Sequence, residues 1–195
     1  MAVSFPVPVI LCPITVPSVF STTECEHIIA LAQDGSSGGF DTARLVGGVL
    51  QGNIRRARIA WLDEDKGAAW VLQRIMQLVA DVNREHFGFV LEEFGERMQV
   101  AAYDGDGGGH FDWHSDIGDG VLAARRKLTV VLQLSMAASY EGGVLSTNHA
   151  GHEQEASREI GTAILFPAFI LHRVSPVRHG TRLSLTTWVH GPTFR

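Results

Sequence analysis

Cysteine is scarce in this sequence: Cys12 and Cys25 are the only two among 195 residues. A pair near one end cannot staple a chain of this length, so no disulfide framework is expected, and a reducing, cytoplasmic setting is. Basic residues are absent before Arg44. The first twenty residues are apolar but lack the positive start of a secretory signal, and Pro6, Pro8, Pro13 and Pro17 interrupt any helix there. They read as an extended segment that docks on the fold. No other apolar run approaches the roughly 20 residues needed to cross a bilayer, so no membrane association is expected. Charge is sparse as well. Charged residues make up 19% and the net charge is −5, which leaves no basic footprint for nucleic acid. Apolar residues make up 45%, enough for a sizeable core and too many for a disordered chain. The length fits one domain over 1–195, with helices mainly in 21–87 and strands mainly in 89–192.

What is present divides by periodicity. STTECEHIIALAQ (21–33) opens with hydroxyl and acidic residues and continues with Ile28, Ile29, Leu31 and Ala32. That pattern predicts a capped helix, closed by Gly35. Residues 67–87 carry Trp70, Ile75, Leu78, Val79, Val82 and Phe87 at helical spacing, with Gly88 as the stop. IRRARIAWL (54–62) alternates charged and apolar residues and reads as a strand. From residue 89 short apolar or alternating runs follow one another: 98–103, 110–116, 127–135, 142–145, 161–166, 168–174 and 182–190. Gly, Asp, Asn and Pro clusters separate them. Evenly spaced short strands with such turns predict a barrel or jelly roll, mainly β, with the two helices buttressing one sheet.

HFDWHSD (110–116) contains two overlapping His-x-Asp triplets, His110 with Asp112 and His114 with Asp116. Residues i and i+2 of a strand share a face, so each triplet offers one imidazole and one carboxylate to one ion. Parity alone leaves both pairs open. A third ligand is expected from a distant strand. His172 fits, as a lone histidine within the apolar run AFILHRV (168–174). Two imidazoles and a carboxylate with open positions opposite suit non-heme Fe(II) and oxygen chemistry. SPVRHGT (175–181) can reverse the chain, which would set His172 and Arg182 on adjacent antiparallel strands. Arg182, Ser184, Thr186 and Trp188 share one face of the last strand, opposite Leu183, Leu185 and Val189. A barrel interior carrying Arg, Ser and Thr suits a carboxylate ligand, because Arg grips carboxylates with two parallel hydrogen bonds. Lys127 is the alternative carboxylate binder, should Arg182 point outward.

These segments resemble the iron(II)- and 2-oxoglutarate-dependent dioxygenases, specifically the prolyl-4-hydroxylase-like branch. The matching pieces are YDGDGGGHFDWHSD (103–116), RKLTVVLQLS (126–135), YEGGVL (140–145) and GTAILFPAFILHRVSPVRHGTRLSLTTWVHGP (161–192). One departure is Val144, where many relatives carry an acidic residue after the paired glycines; it is expected away from the metal. The resemblance implies a distorted double-stranded β-helix. It implies that His114, Asp116 and His172 bind Fe(II), which selects the second triplet and moves His110 to the rim. It implies that Arg182 takes the far carboxylate of 2-oxoglutarate, with Tyr103 in the pocket and Gln133 reaching the same co-substrate. O2 is the other co-substrate, and ascorbate is an expected stimulant. The implied reaction releases succinate and CO2 and hydroxylates an unactivated C–H bond. Asp116 occupies the position that related halogenases leave open, which favours hydroxylation. The expected substrate is an amino acid, free or in a peptide or protein, with prolyl as the first candidate. A small-molecule metabolite, hydroxylated, desaturated or cyclised, is the alternative.

Two rival readings use the same residues. A zinc hydrolase would need zinc and no 2-oxoglutarate. A non-catalytic jelly-roll binding module would have no use for an intact ligand set beside Arg182. Of the remaining features, YDGDGGGH precedes a strand and lacks EF-hand spacing, so it reads as a turn beside the site. His149 and His152 in NHAGH read as surface loop. Trp113 reads as packing and Trp188 as a cavity wall. Arg55, Arg56 and Arg58 beside GGVLQGN (47–53) read as part of a lid that meets the substrate. Specificity is expected from 34–53, 104–110 and 146–158.

Overall fold

The computed structural model describes residues 11–34, 39–42 and 54–194. Its elements run β1 (Ile14–Val16), α1 (Thr22–Gln33), β2 (Asp41–Thr42), β3 (Arg55–Arg56), β4 (Arg58–Leu62) and α2 (Ala69–Val82). There follow β5 (Met98–Asp104), β6 (His110–His114), β7 (Arg126–Gln133), β8 (Tyr140–Gly142), β9 (Leu145–His149) and β10 (His152–Glu155). The chain closes with β11 (Ala163–Pro167), β12 (Leu171–Val174) and β13 (Val177–His190).

Both helices form where the periodicity predicts them. Ser21 caps α1: its Oγ accepts the Glu24 N–H at 3.3 Å, and Glu24 Oε2 accepts the Ser21 N–H at 2.9 Å. This reciprocal box satisfies two of the N–H groups that a helix start leaves idle. Cys25, Ile28 and Ala32 then face inward. Gly35, expected to close this helix, lies outside the described residues. α2 buries Val71, Leu72, Ile75, Val79 and Val82, and runs into a π-helical turn over Asn83–Phe87. Gly88 ends it at φ 65°, a backbone state that costs little without a Cβ.

Among the described residues the strands form two antiparallel sheets. The larger has the order β1-β11-β7-β13-β5-β4-β2, with β8 also paired to β13, and the smaller has the order β10-β9-β12-β6-β3. Together they make the expected jelly-roll barrel. Alternation in the central strands builds two cores. Leu128, Val130 and Leu132 of β7 and Val100 of β5 pack towards α1 and α2. Val131, Ala101, Tyr103 and Phe166 turn the other way, between the sheets. The described part of the N-terminal segment docks as predicted, with Ile14 opposite Leu165 in the β1–β11 pair.

Three details differ from the sequence reading. Residues 54–62 are two strands: β3 pairs with β6 in the small sheet, and β4 pairs with β5 in the large one. The switch falls at buried Ala57, where alternating residues cannot signal a change of sheet. His172 and Arg182 are not on neighbouring strands. β12 pairs with β6 and β9, whereas β13 pairs with β5, β7 and β8, because residues 175–180 carry the chain across the barrel. Residues 148–152 are the tip of the β9–β10 hairpin, with Ala150 and Gly151 both at positive φ as a tight twisted turn requires. Glycine pairs elsewhere mark close approach. A Cβ on Gly109 would lie 2.6 Å from the Asp104 amide nitrogen, so only glycine lets the 104–109 turn fold back on β5.

One buried charge cluster ties the start of β7 to the end of β13. Arg126 Nε and Nη2 donate to the two oxygens of Glu96 at 2.7 and 2.5 Å. Buried His190 accepts the Gly95 N–H on Nδ1, so its proton sits on Nε2 and is donated to Glu96 at 3.0 Å. Glu96 thus serves two partners that have little water to replace it. Glu96→Ala is expected to cost about 3 kcal/mol, because it strands a buried guanidinium. The expected drop in melting temperature is roughly 10 °C, with a smaller drop for Glu96→Gln. Both cysteines are free, Cys12 exposed and Cys25 buried. Burial pushes the Cys25 thiol up to about 11. A thiol reagent is therefore expected to label one cysteine in the native protein and both after denaturation.

Candidate metal centre and co-substrate pocket

Between the two sheets lies a cavity of about 700 Å³, within the size range of small-molecule sites. His114, Asp116, His172 and Arg182 all line it. The first three present donor atoms within 4.8 Å of one another, and they are the one such His/Cys/Asp/Glu group among the described residues.

Strand register brings the histidines together. His172 on β12 stands directly opposite His114 on β6, and the ring centroids are 4.1 Å apart. The next pair is Val174 with Phe111, so the register slips between them. Asp112 and Trp113 share the span opposite Arg173, which is a β-bulge. The bulge breaks the parity that left the two triplets equivalent. Phe111, three residues before His114, stacks on its ring at 3.4 Å and lines the cavity. His110 instead turns its Nδ1 to the Gly108 carbonyl at 2.8 Å, and exposed Asp112 accepts the Trp113 N–H. Asp116 lies past the end of β6. Its N–H donates to the Ala168 carbonyl, its carbonyl accepts from Arg126 Nη1 at 3.0 Å, and Oδ2 accepts the Thr129 hydroxyl at 2.7 Å. The Thr129 contact was open to sequence reasoning, since β7 parity puts Thr129 inward; the Arg126 contact was not.

Protonation suits a metal. His114 Nδ1 faces the Asp112 carbonyl at 2.7 Å, and His172 Nδ1 faces the Ile170 carbonyl at 3.0 Å. A carbonyl only accepts, so each ring carries its proton on Nδ1 and turns the Nε2 lone pair to the centre. Nε2 of His114 is 3.8 Å from Asp116 Oδ1, and Nε2 of His172 is 3.5 Å from Oδ2. Burial, then the neighbouring His172, pushes the His114 imidazole down to about 4. Burial alone would raise the Asp116 carboxyl, but the two imidazoles and the Thr129 hydroxyl hold it below the usual carboxylate range. Two imidazoles and one carboxylate fit an Fe(II) ion with faces left open.

Arg182 enters the cavity from the large sheet. It is 1% exposed, and burial pulls its guanidinium below its usual range. Nη1 donates to Ser184 Oγ at 3.1 Å and Nη2 to Gln133 Oε1 at 2.9 Å, while Nε has no acceptor. Among the described residues no Asp or Glu pairs with it. A charge buried in this way calls for an anion, and a dicarboxylate such as 2-oxoglutarate fits. Tyr103 lines the cavity with its ring 5.4 Å from the guanidinium carbon. Gln133 lies outside the lining; its amide is spent on Arg182 and on the Ser157 carbonyl at 2.8 Å. Lys127, the alternative carboxylate binder, sits over the Phe194 ring instead. Trp188 walls the cavity, and Trp113 reaches it with Arg173 over its ring, so Trp113 is not simple packing. Val144 exchanges hydrogen bonds with Ser175 and stays clear of the metal ligands.

Comparisons with known proteins point to one superfamily and one fold. Residues 98–190 match the sequence model of the 2OG-Fe(II) oxygenase superfamily. A PKHD-type hydroxylase of Colwellia psychrerythraea is 28% identical over 179 residues, covering 89% of this chain and 75% of that protein. A PKHD-type hydroxylase of Janthinobacterium is 37% identical over 89 residues, 43% of this chain and 39% of that one. Among solved structures, a Pseudomonas putida prolyl-4-hydroxylase superposes with a TM-score of 0.76 at 24% identity, covering 92% of each chain. A Trichoplax adhaerens prolyl hydroxylase, solved with a hypoxia inducible factor peptide, gives 0.76 at 19% identity over 91% of this chain and 83% of that one. The 2OG-Fe(II) oxygenase match over residues 98–190, together with the His114–Asp116–His172 cluster, marks an oxygenase that uses Fe(II) and 2-oxoglutarate.

Proposed function

We propose that this enzyme hydroxylates an unactivated C–H bond of an amino acid, free or within a peptide or protein, with prolyl as the first candidate. The observation that carries the reading is the pairing of a two-histidine, one-carboxylate cluster with an uncompensated buried arginine in one cavity. In this reading His114, Asp116 and His172 hold Fe(II). Arg182 holds the far carboxylate of 2-oxoglutarate, beside Tyr103, and Gln133 acts by orienting Arg182. Bound iron supplies the activation of O2: one oxygen atom enters succinate as 2-oxoglutarate loses CO2, and the other enters the substrate C–H bond. The chain's own part is positional. Thr129 and Arg126 fix Asp116 from both sides, and the backbone carbonyls fix both imidazoles. The relatives' names, hydroxylase and prolyl-4-hydroxylase, support the reaction class and the amino-acid substrate.

The setting and extent belong to the same proposal: one oxygenase domain over residues 1–195, working in the cytoplasm. Two free cysteines support a reducing compartment. No helix among the described residues is long and apolar enough to cross a membrane.

The test is release of succinate from 2-oxoglutarate with Fe(II) and ascorbate, with an anaerobic absorption band on mixing Fe(II) and 2-oxoglutarate. Both are expected from the wild-type protein, and absence of both defeats the oxygenase mechanism proposed here. His114→Ala and Asp116→Ala are expected to reduce turnover to background. His110→Ala is expected to retain iron binding, and loss of iron in that variant with retention in His114→Ala would reverse the choice of triplet. Arg182→Gln is expected to raise the KM for 2-oxoglutarate by roughly tenfold or more, since it removes a charge-assisted pair, while anaerobic Fe(II) binding persists. An unchanged KM would remove Arg182 from that role.

A further inference from the structure

Three arginines follow one another at positions 55, 56 and 58, and they do different things. Arg58 grips Asp104 through two bonds, Nε to Oδ2 at 2.8 Å and Nη2 to Oδ1 at 3.0 Å. Arg56 donates to the Gly107 carbonyl. Both are exposed and tied off at the 104–109 turn. Arg55 points elsewhere. It stands opposite Phe111 in the β3–β6 pair and lines the cavity between the sheets. Its guanidinium carbon lies 4.7 Å from the centre of the Phe111 ring, and that ring stacks on His114. Arg55 is thus one aromatic ring away from the metal centre.

Its charge is not answered. Nη2 donates to Gln99 Oε1 at 2.6 Å, a neutral acceptor, and Nε is buried with no acceptor. Among the described residues no Asp or Glu forms an ion pair with it, and residues 1–10, 35–38, 43–53 and 195 contain no Asp or Glu. Of the three arginines that line the cavity, Arg126 is neutralised by Glu96, and Arg182 answers to 2-oxoglutarate in the reading above. That co-substrate brings two carboxylates, one for iron and one for Arg182, and leaves none for Arg55. Beside Arg55 and its partner Gln99 the lining includes apolar Ile54, Ile59 and Trp61, with Trp188 also facing the cavity, and of the acids in that lining, Glu96, Asp116 and Asp119, none pairs with Arg55.

A half-buried cation beside an apolar wall and near the metal selects an anion with a compact hydrocarbon body. We infer that Arg55 binds a carboxylate of the substrate itself. The substrate class is then a small carboxylic acid, such as a free amino acid or the C-terminal residue of a peptide, rather than a residue internal to a chain. The inference rests on the hydroxylase reading and narrows it.

The test uses matched pairs: each proteinogenic amino acid, its carboxamide, and an N-acetylated, C-amidated tripeptide with the same residue in the centre. Substrate-stimulated succinate release and tryptophan fluorescence on the anaerobic Fe(II)/2-oxoglutarate complex are the two readouts. At least one free acid is expected to stimulate succinate release, with a kcat/KM about tenfold or more above its amide. Arg55→Gln, folded with the wild-type melting temperature, is expected to raise the KM for that acid and erase its advantage over the amide. Arg55→Lys is expected to recover part of it and serves if the glutamine variant does not fold. The inference is overturned if the blocked peptide is preferred, if acid and amide perform equally, if Arg55→Gln keeps the discrimination, or if no acid in the set binds. Wild-type protein that shows neither succinate release without added substrate nor the anaerobic band would instead defeat the oxygenase mechanism itself.

Discussion

A guanidinium enclosed in a β-barrel without an acid beside it is the constraint from which the remaining arrangement follows. Arg182 donates its bonds to Ser184 and Gln133, both neutral, so its charge stays available to a ligand. A full ion pair at that place would be more comfortable for the empty barrel and would leave nothing for a dicarboxylate to do. Close packing around the side chain keeps the charge aimed. A Cβ on Gly143 would come within 3.1 Å of the Arg182 Cδ, which leaves room there for glycine and little else. Gly143 of the YEGG run therefore belongs to the Arg182 side of the cavity, although it does not line it.

The metal side depends on a different kind of precision. Two histidines meet because their strands pair at that residue, and the bulge next to them decides which neighbours share the cavity. Asp116 lies past the end of β6 and is held by no ladder of its own strand. It is fixed by the Ala168 carbonyl, the Thr129 hydroxyl and the Arg126 guanidinium, and Arg126 is in turn locked by Glu96 and lies over Trp188. The rigidity of the ion site is thus borrowed from a charge cluster at the barrel's edge.

Much of this was legible in the residues. The alternation of β13 put Arg182, Ser184, Thr186 and Trp188 on one face, and all four line the cavity. The lone His172 in an apolar run needed an explanation and meets His114 and Asp116 across a strand pair. What stayed hidden shares one cause: local pattern carries no record of which sheet a strand joins. The Ala57 switch, the crossing at 175–180 and the bulge at Asp112–Trp113 are choices of partner, made by packing between segments distant in the chain. The β9–β10 hairpin escaped notice because both its strands carry polar residues, and β10 is exposed throughout. The loop at 47–53, read as part of a lid, lies outside the described residues.

The crossing of the chain between β12 and β13 has a consequence for how the molecule matures. His114 lies far from His172 in the sequence, and Arg182 follows His172 on the next strand but in the other sheet, so the three face one another only after both sheets have closed. Such long-range pairings form late and slowly. No fragment of the chain carries the ion site in advance, so iron and 2-oxoglutarate meet a finished barrel or nothing. Each then acts as a latch on the completed fold, adding stability by mass action in proportion to its own concentration.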